Sequence, residues 1–95
     1  MNLATVITQD PPPGFLASRF GLSPAESTTA AGIAAGKTPK RLALDRGISV
    51  HTVRTQMQFA FIKMHVASQA GLVSTVWRAW AAHTQAELAL GGSTT

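Results

Sequence analysis

Past residue 14 the apolar positions recur at helical spacing, and the breaks between them fall on glycine and proline. In "SPAE" Ser23 stands as a helix cap, Pro24 takes the first helical position and Glu26 follows three residues after the cap, which predicts a first helix from 24 to about 35 closed by Gly36. Thr38 and Pro39 repeat the signal, so a second helix of two turns covers about 39–46 and ends at Gly47. Ser49 caps a third helix from about Val50 to Met64. A fourth runs from Ser68 to about His83 with an apolar stripe of Leu72, Val73, Val76, Trp77 and Trp80, and "QAELAL" either extends it or adds one more turn. Upstream, "FLASRF" makes a short helix or turn stopped by Gly21, "DPPPG" reads as a stiff linker with no place in a helix, and "LATVIT" suits a short extended segment. The chain is therefore expected to be a small all-α domain of four main helices over residues 15–90, with an N-terminal arm or linker at 1–14 and a flexible tail, "GGSTT", at 91–95.

The third helix has two unlike faces. At about 100° per residue Val53, Met57, Ala60, Phe61 and Met64 gather on one side, while His51, Arg54, Thr55 and Gln58 gather on another. Two short helices joined by a tight glycine turn, with Arg, Thr and Gln on the exposed face of the second, have the layout of a helix-turn-helix DNA reader. The residue types suit that chemistry: Arg bonds guanine bidentately, Gln does so with adenine, and a Thr methyl touches the thymine methyl. The alternative is an amphipathic helix whose polar face only meets water.

Charge sharpens the picture. The chain carries +4 overall, and Lys37, Lys40, Arg41, Arg46, Arg54 and Lys63 against Asp45 alone concentrate +5 between residues 37 and 63. Such a run is either a solvated face or a surface for a polyanion. Ninety-five residues hold one domain with a small core, for which a second copy is a plausible source of stability. Without cysteine there is no disulfide or thiolate chemistry, and no apolar run approaches the ~18 residues of a membrane span, so a soluble cytoplasmic protein is expected.

Enzymatic and cofactor chemistry finds no footing. "GIAAGKT" has three residues between its glycines where a phosphate-binding loop needs four. His51, His65 and His83 share no metal-ligand spacing, and the serines and acids form no nucleophile, base and orienter group, so no catalytic residue, metal or cofactor is expected. Trp77 and Trp80, three apart on one face, fit a core or an interface better than a stacking platform for single strands.

Over residues 22 to about 73, without a gap, the chain resembles the LuxR-type (GerE-like) helix-turn-helix family. The resemblance is carried by Leu22, Ser23 and Glu26; by Ala34, Gly36, Thr38, Lys40, Leu42 and Ala43; by Gly47, Ile48, Ser49, Thr52, Val53, Arg54 and Met57; and by Lys63, Met64, Val66 and Ser68. It implies base contacts from Arg54, Thr55 and Gln58, with His51 on the same face, and DNA backbone contacts from Thr38, Lys40, Ser49, Thr52 and Gln56, with Arg41 in the basic run beside them. It also implies a homodimer contact through the fourth helix, which would employ Val73, Val76, Trp77 and Trp80; core packing is the other use for that stripe.

Several positions depart from the family pattern. Arg46 stands where a core leucine is usual, Gln56 replaces a histidine, and Thr29, Ala30 and Gly32 replace bulkier residues, so looser packing of the first helix is expected. Gln69 and Gly71 replace an Arg and a Glu that often close the start of the fourth helix, which leaves that junction and the dimer geometry open. The function implied is a sequence-specific regulator of transcription that binds double-stranded DNA as a homodimer, with helix 50–64 in the major groove. The rival is a helix-turn-helix adaptor acting on RNA polymerase or another regulator protein.

Overall fold

Local capping explains where the helices begin. Ser23 Oγ accepts the Glu26 backbone N–H at 3.1 Å while Glu26 Oε1 accepts that of Ser23 at 2.9 Å, a reciprocal pair that satisfies two otherwise unpartnered donors. Thr38 Oγ1 accepts from Arg41 N, Ser49 Oγ from Thr52 N and Ser68 Oγ from Gly71 N. The computed structural model, which describes the backbone of residues 9–93 and the side chains of residues 9–89, is accordingly all-α. Its helices are α1 (Pro13–Phe20), α2 (Pro24–Ala34), α3 (Pro39–Arg46), α4 (Val50–Met64) and α5 (Gln69–Ser93). "LATVIT" lies outside the described residues.

The stops are equally local. Gly21 and Gly47 adopt left-handed φ of 69° and 67° after α1 and α3, a conformation that costs glycine nothing. His65 does the same after α4 at φ 58°, where a side chain is less comfortable. Ser68 closes the start of α5 that the Gln69 and Gly71 departures left open.

The proline run is not a detached linker. Pro13 and Gly14 lie in the first turn of α1, because the first helical positions need no N–H donor and the proline ring already holds a helical φ. Pro11 is buried, and Trp80 Nε1 donates to the Gln9 carbonyl at 2.8 Å. Phe15 meets the Trp80 ring edge-on, with centroids 5.0 Å apart, so the approach to α1 is fastened along α5. At its other end α5 continues through "QAELAL" to Ser93 and takes in the first residues of the expected tail.

The second helix is the hub, packing against all four others. Its small side chains do not loosen it: Thr29 and Ala30 are fully buried, and the Leu42 side chain of α3 occupies the space that a Cβ on Gly32 would take. The expected looser packing of this helix is corrected on that ground. Leu16, Ile33, Val53, Leu72 and Val76 form the centre of the core, each at 2% exposure or less.

The stripe of the last helix also belongs to this core. Val76 is fully buried and Trp80 is 8% exposed, while Val73 and Trp77 are half-buried against the cluster. Trp77 Nε1 donates to the Ala34 carbonyl at 2.8 Å, satisfying an acceptor at the end of α2. Of the four residues expected at a dimer contact, Val76 and Trp80 are thus taken up by the core of their own chain, while Val73 and Trp77 keep part of their surface open. Among the described residues no helix is long and apolar enough to cross a membrane.

Glu26 ties the start of α2 to the end of α4. Its Oε1 also accepts Lys63 Nζ at 2.7 Å, and Lys63 together with the Ser23 N–H holds the carboxyl below its ordinary value. A depressed carboxyl stabilises the fold fully above the unfolded-state value, about 4.5, and loses that contribution as pH falls through the folded-state value. Denaturant titrations should find Glu26→Gln less stable than the parent at pH 7, with the gap closing as pH is lowered below about 4.5. A gap of constant size down to pH 2 would exclude the carboxylate as its source.

Candidate nucleic-acid interface

The connection between α3 and α4 is a tight turn. Gly47 in its left-handed conformation lets Ile48 N reach back to the Ala43 carbonyl at 3.1 Å, and Ser49 at once caps the next helix. Leu42 and Ala43 of α3 and Val53, Met57, Ala60 and Met64 of α4 bury their apolar faces. With α4 held from within, its opposite side is turned to solvent.

That side brings the expected base-reading residues together. His51, Arg54, Thr55 and Gln58 are all exposed on α4. The Thr55 hydroxyl donates to the His51 carbonyl one turn back, at 3.0 Å, which leaves its methyl and an oxygen lone pair for a ligand. Beside Arg54 lies an open cleft of about 380 Å³ floored by Met57 and Phe61 and edged by Gln58 and Gln69. Gln69 was not singled out by its chemistry in the sequence; its departure from the family pattern was the available signal. Phe59 and Ile62, at 51% and 67% exposure, also stand on the solvent side of α4 and were missed, although helical periodicity would have placed them there.

The expected backbone-contacting residues divide. Thr38, Lys40, Arg41, Ser49 and Thr52 are exposed around the turn and the start of α3. Thr38 and Ser49 spend an oxygen lone pair on capping, and Ser49 Oγ shares a hydrogen bond with Thr52 Oγ1 at 2.9 Å. Arg41 Nε and Lys37 Nζ both lie 3.1 Å from Asp45, whose carboxyl is held below its ordinary value chiefly by Lys37. Lys40 and Arg54 enter no ion pair among the described residues. Thus the basic segment holds fewer free cations than its composition suggests.

Gln56, expected at the DNA backbone, is half-buried, and its carbonyl oxygen faces the protein. Arg46 Nη1 donates to Gln56 Oε1 at 2.8 Å and to Thr29 Oγ1 at 2.7 Å, and the Thr29 hydroxyl donates to Gln56 Oε1 at 2.7 Å. These three residues come from α3, α2 and α4, and each had departed from the family pattern. Together they make one polar contact that sets the rotation of α4 behind its exposed face.

Thr29→Val keeps the side-chain volume but removes the hydroxyl that Arg46 and Gln56 share. A loss of about 1–3 kcal/mol is expected from denaturant unfolding, with Gln56→Ala costing less in that background than in the parent. Strict additivity of the two substitutions would show that the triangle does not act as a unit.

No family model, curated protein or solved structure matches this chain.

Proposed function

We propose that the chain is a sequence-specific regulator of transcription that binds double-stranded DNA in the cytoplasm, with α4 in the major groove and a second copy on the adjoining half-site. The observation that carries this reading is the convergence of His51, Arg54, Thr55 and Gln58 on the exposed face of the helix that follows a tight turn. Arg and Gln supply bidentate donors and acceptors for purine edges, and Thr supplies a methyl for thymine. Lys40 and the cap hydroxyls of Thr38 and Ser49 are exposed at the starts of α3 and α4 and supply groups of the kind that bind phosphates. The resemblance to LuxR-type helix-turn-helix domains supports the same roles. The activity proposed is binding alone, without catalysis or cofactor. A homodimer would meet through surfaces other than Val76 and Trp80, which are occupied within one chain.

A second reading has its own observation. Leu44 is 70% exposed on α3, beside an open cleft lined by Ile48 and Val50, which suits a protein surface such as that of RNA polymerase or another regulator. An adaptor of that kind would show no preference among duplexes.

Selection of duplexes from a randomised pool, then affinity measurements on the best and a scrambled sequence at low and physiological salt, separates the two. A two-fold symmetric consensus retained at the higher salt is expected; equal collapse of both sequences would favour the adaptor. Arg54→Ala should lose about 1–3 kcal/mol and relax the preference at one base pair. Lys40→Ala should weaken all sequences alike and reduce the salt slope by about 1. If both variants shifted every sequence by one common factor, Arg54 would not be a base reader.

A further inference from the structure

The exposed face of α4 does not end at Gln58. At about 100° per residue Ile62 continues the row formed by His51, Thr55 and Gln58, and Phe59 flanks that row one turn beyond Thr55. Both are open to solvent, Phe59 at 51% and Ile62 at 67%. The segment Val50–Met64 contains no acidic residue, and Arg54 at its near end is free of ion pairs among the described residues.

An apolar strip without acids, continuous with hydrogen-bonding side chains and bordered by a free cation, matches a duplex groove, whose apolar features are thymine methyl groups and whose edges are phosphates. We propose that Phe59, with Ile62 beside it, reads thymine methyl groups in the major groove and so extends base recognition one helical turn past Gln58. This inference rests on the DNA-reading proposal above. The row from His51 to Ile62 spans about 16 Å at 1.5 Å per residue. That exceeds the ~12 Å width of the groove, so α4 lies along it and not across it.

Deoxyuridine differs from thymidine only by the missing methyl, so it removes the apolar contact and leaves base pairing and hydrogen-bonding groups in place. Each thymine of the selected duplex is replaced singly, and affinities are measured at fixed salt for the parent and for Phe59→Ala, with sedimentation reporting oligomeric state and circular dichroism reporting the fold. Loss of one buried methyl contact corresponds to about a fourfold weakening. The parent should show it at one or more thymines of each half-site, and Phe59→Ala should show none at one of those positions while keeping the base preference that depends on Arg54. Phe59→Leu should retain part of the effect.

An unchanged thymine-to-deoxyuridine ratio in Phe59→Ala at every position overturns the inference. A change of oligomeric state on combining Phe59→Ala with Ile62→Ala, with that ratio unaltered, would reassign the pair to a contact between proteins. Equal binding of the selected and scrambled duplexes by the parent is a different result: it removes the DNA-reading proposal itself, and this inference with it.

Discussion

One guanidinium nitrogen ties three helices, α2, α3 and α4, together. Arg46 Nη1 uses both of its hydrogens inward, on Thr29 of α2 and Gln56 of α4, and the Thr29 hydroxyl closes the triangle onto the same Gln56 oxygen. A half-buried charge is tolerable only when its donors are met, and Thr29, fully buried, can be polar only because it both accepts and donates here. The contact bears on the exposed face of α4 through helix rigidity. Fixing Gln56 toward α2 and α3 fixes the directions of Arg54, Thr55 and Gln58, which leave the same cylinder at set angles from it.

This contact was invisible in the sequence for a definite reason. Set against the LuxR-type pattern that the sequence resembles and read one at a time, Arg46, Gln56 and Thr29 are losses: a charge in place of a leucine, an amide in place of a histidine, a small polar side chain in place of a large apolar one. Their partners lie 10, 17 and 27 residues away, so nothing in local spacing couples them. Helix boundaries were legible because their causes are local. Ser23 with Glu26, Thr38, and Ser49 each reach three residues along the chain, and the helices expected at 24–35, 39–46 and 50–64 occur as Pro24–Ala34, Pro39–Arg46 and Val50–Met64.

The last helix shows the opposite case. An apolar stripe is required equally by a core and by a dimer contact, so Val73, Val76, Trp77 and Trp80 could not choose between them from periodicity. Packing within the chain takes Val76 and Trp80 fully and Val73 and Trp77 in part. Ala30, Ala31 and Ala34 of α2 are buried in the same core cluster as Leu72 and Val76 of α5, with Val73 and Trp77 packed against it. Each indole N–H then needs an acceptor, found at the Ala34 carbonyl for Trp77 and at the Gln9 carbonyl for Trp80. The second of these bonds fastens the proline-rich approach to α1, because the acceptor that Trp80 uses lies in the chain before that helix.

Electrostatics divides in the same way between what is summed and what is placed. Approach of a polyanion from beyond a Debye length, about 10 Å at ordinary ionic strength, responds to net charge, and internal pairing leaves that net unchanged. Close contact with phosphates responds instead to free donors. Of the six cations between residues 37 and 63, Lys37 and Arg41 share Asp45, Arg46 is turned inward and Lys63 holds Glu26, so Lys40 and Arg54 are left without a protein partner among the described residues. Attraction at a distance is thereby retained while tight backbone clamps are few. In a DNA complex of this protein, discrimination would fall largely on what α4 meets in the groove, and on the contact behind it that keeps α4 from turning.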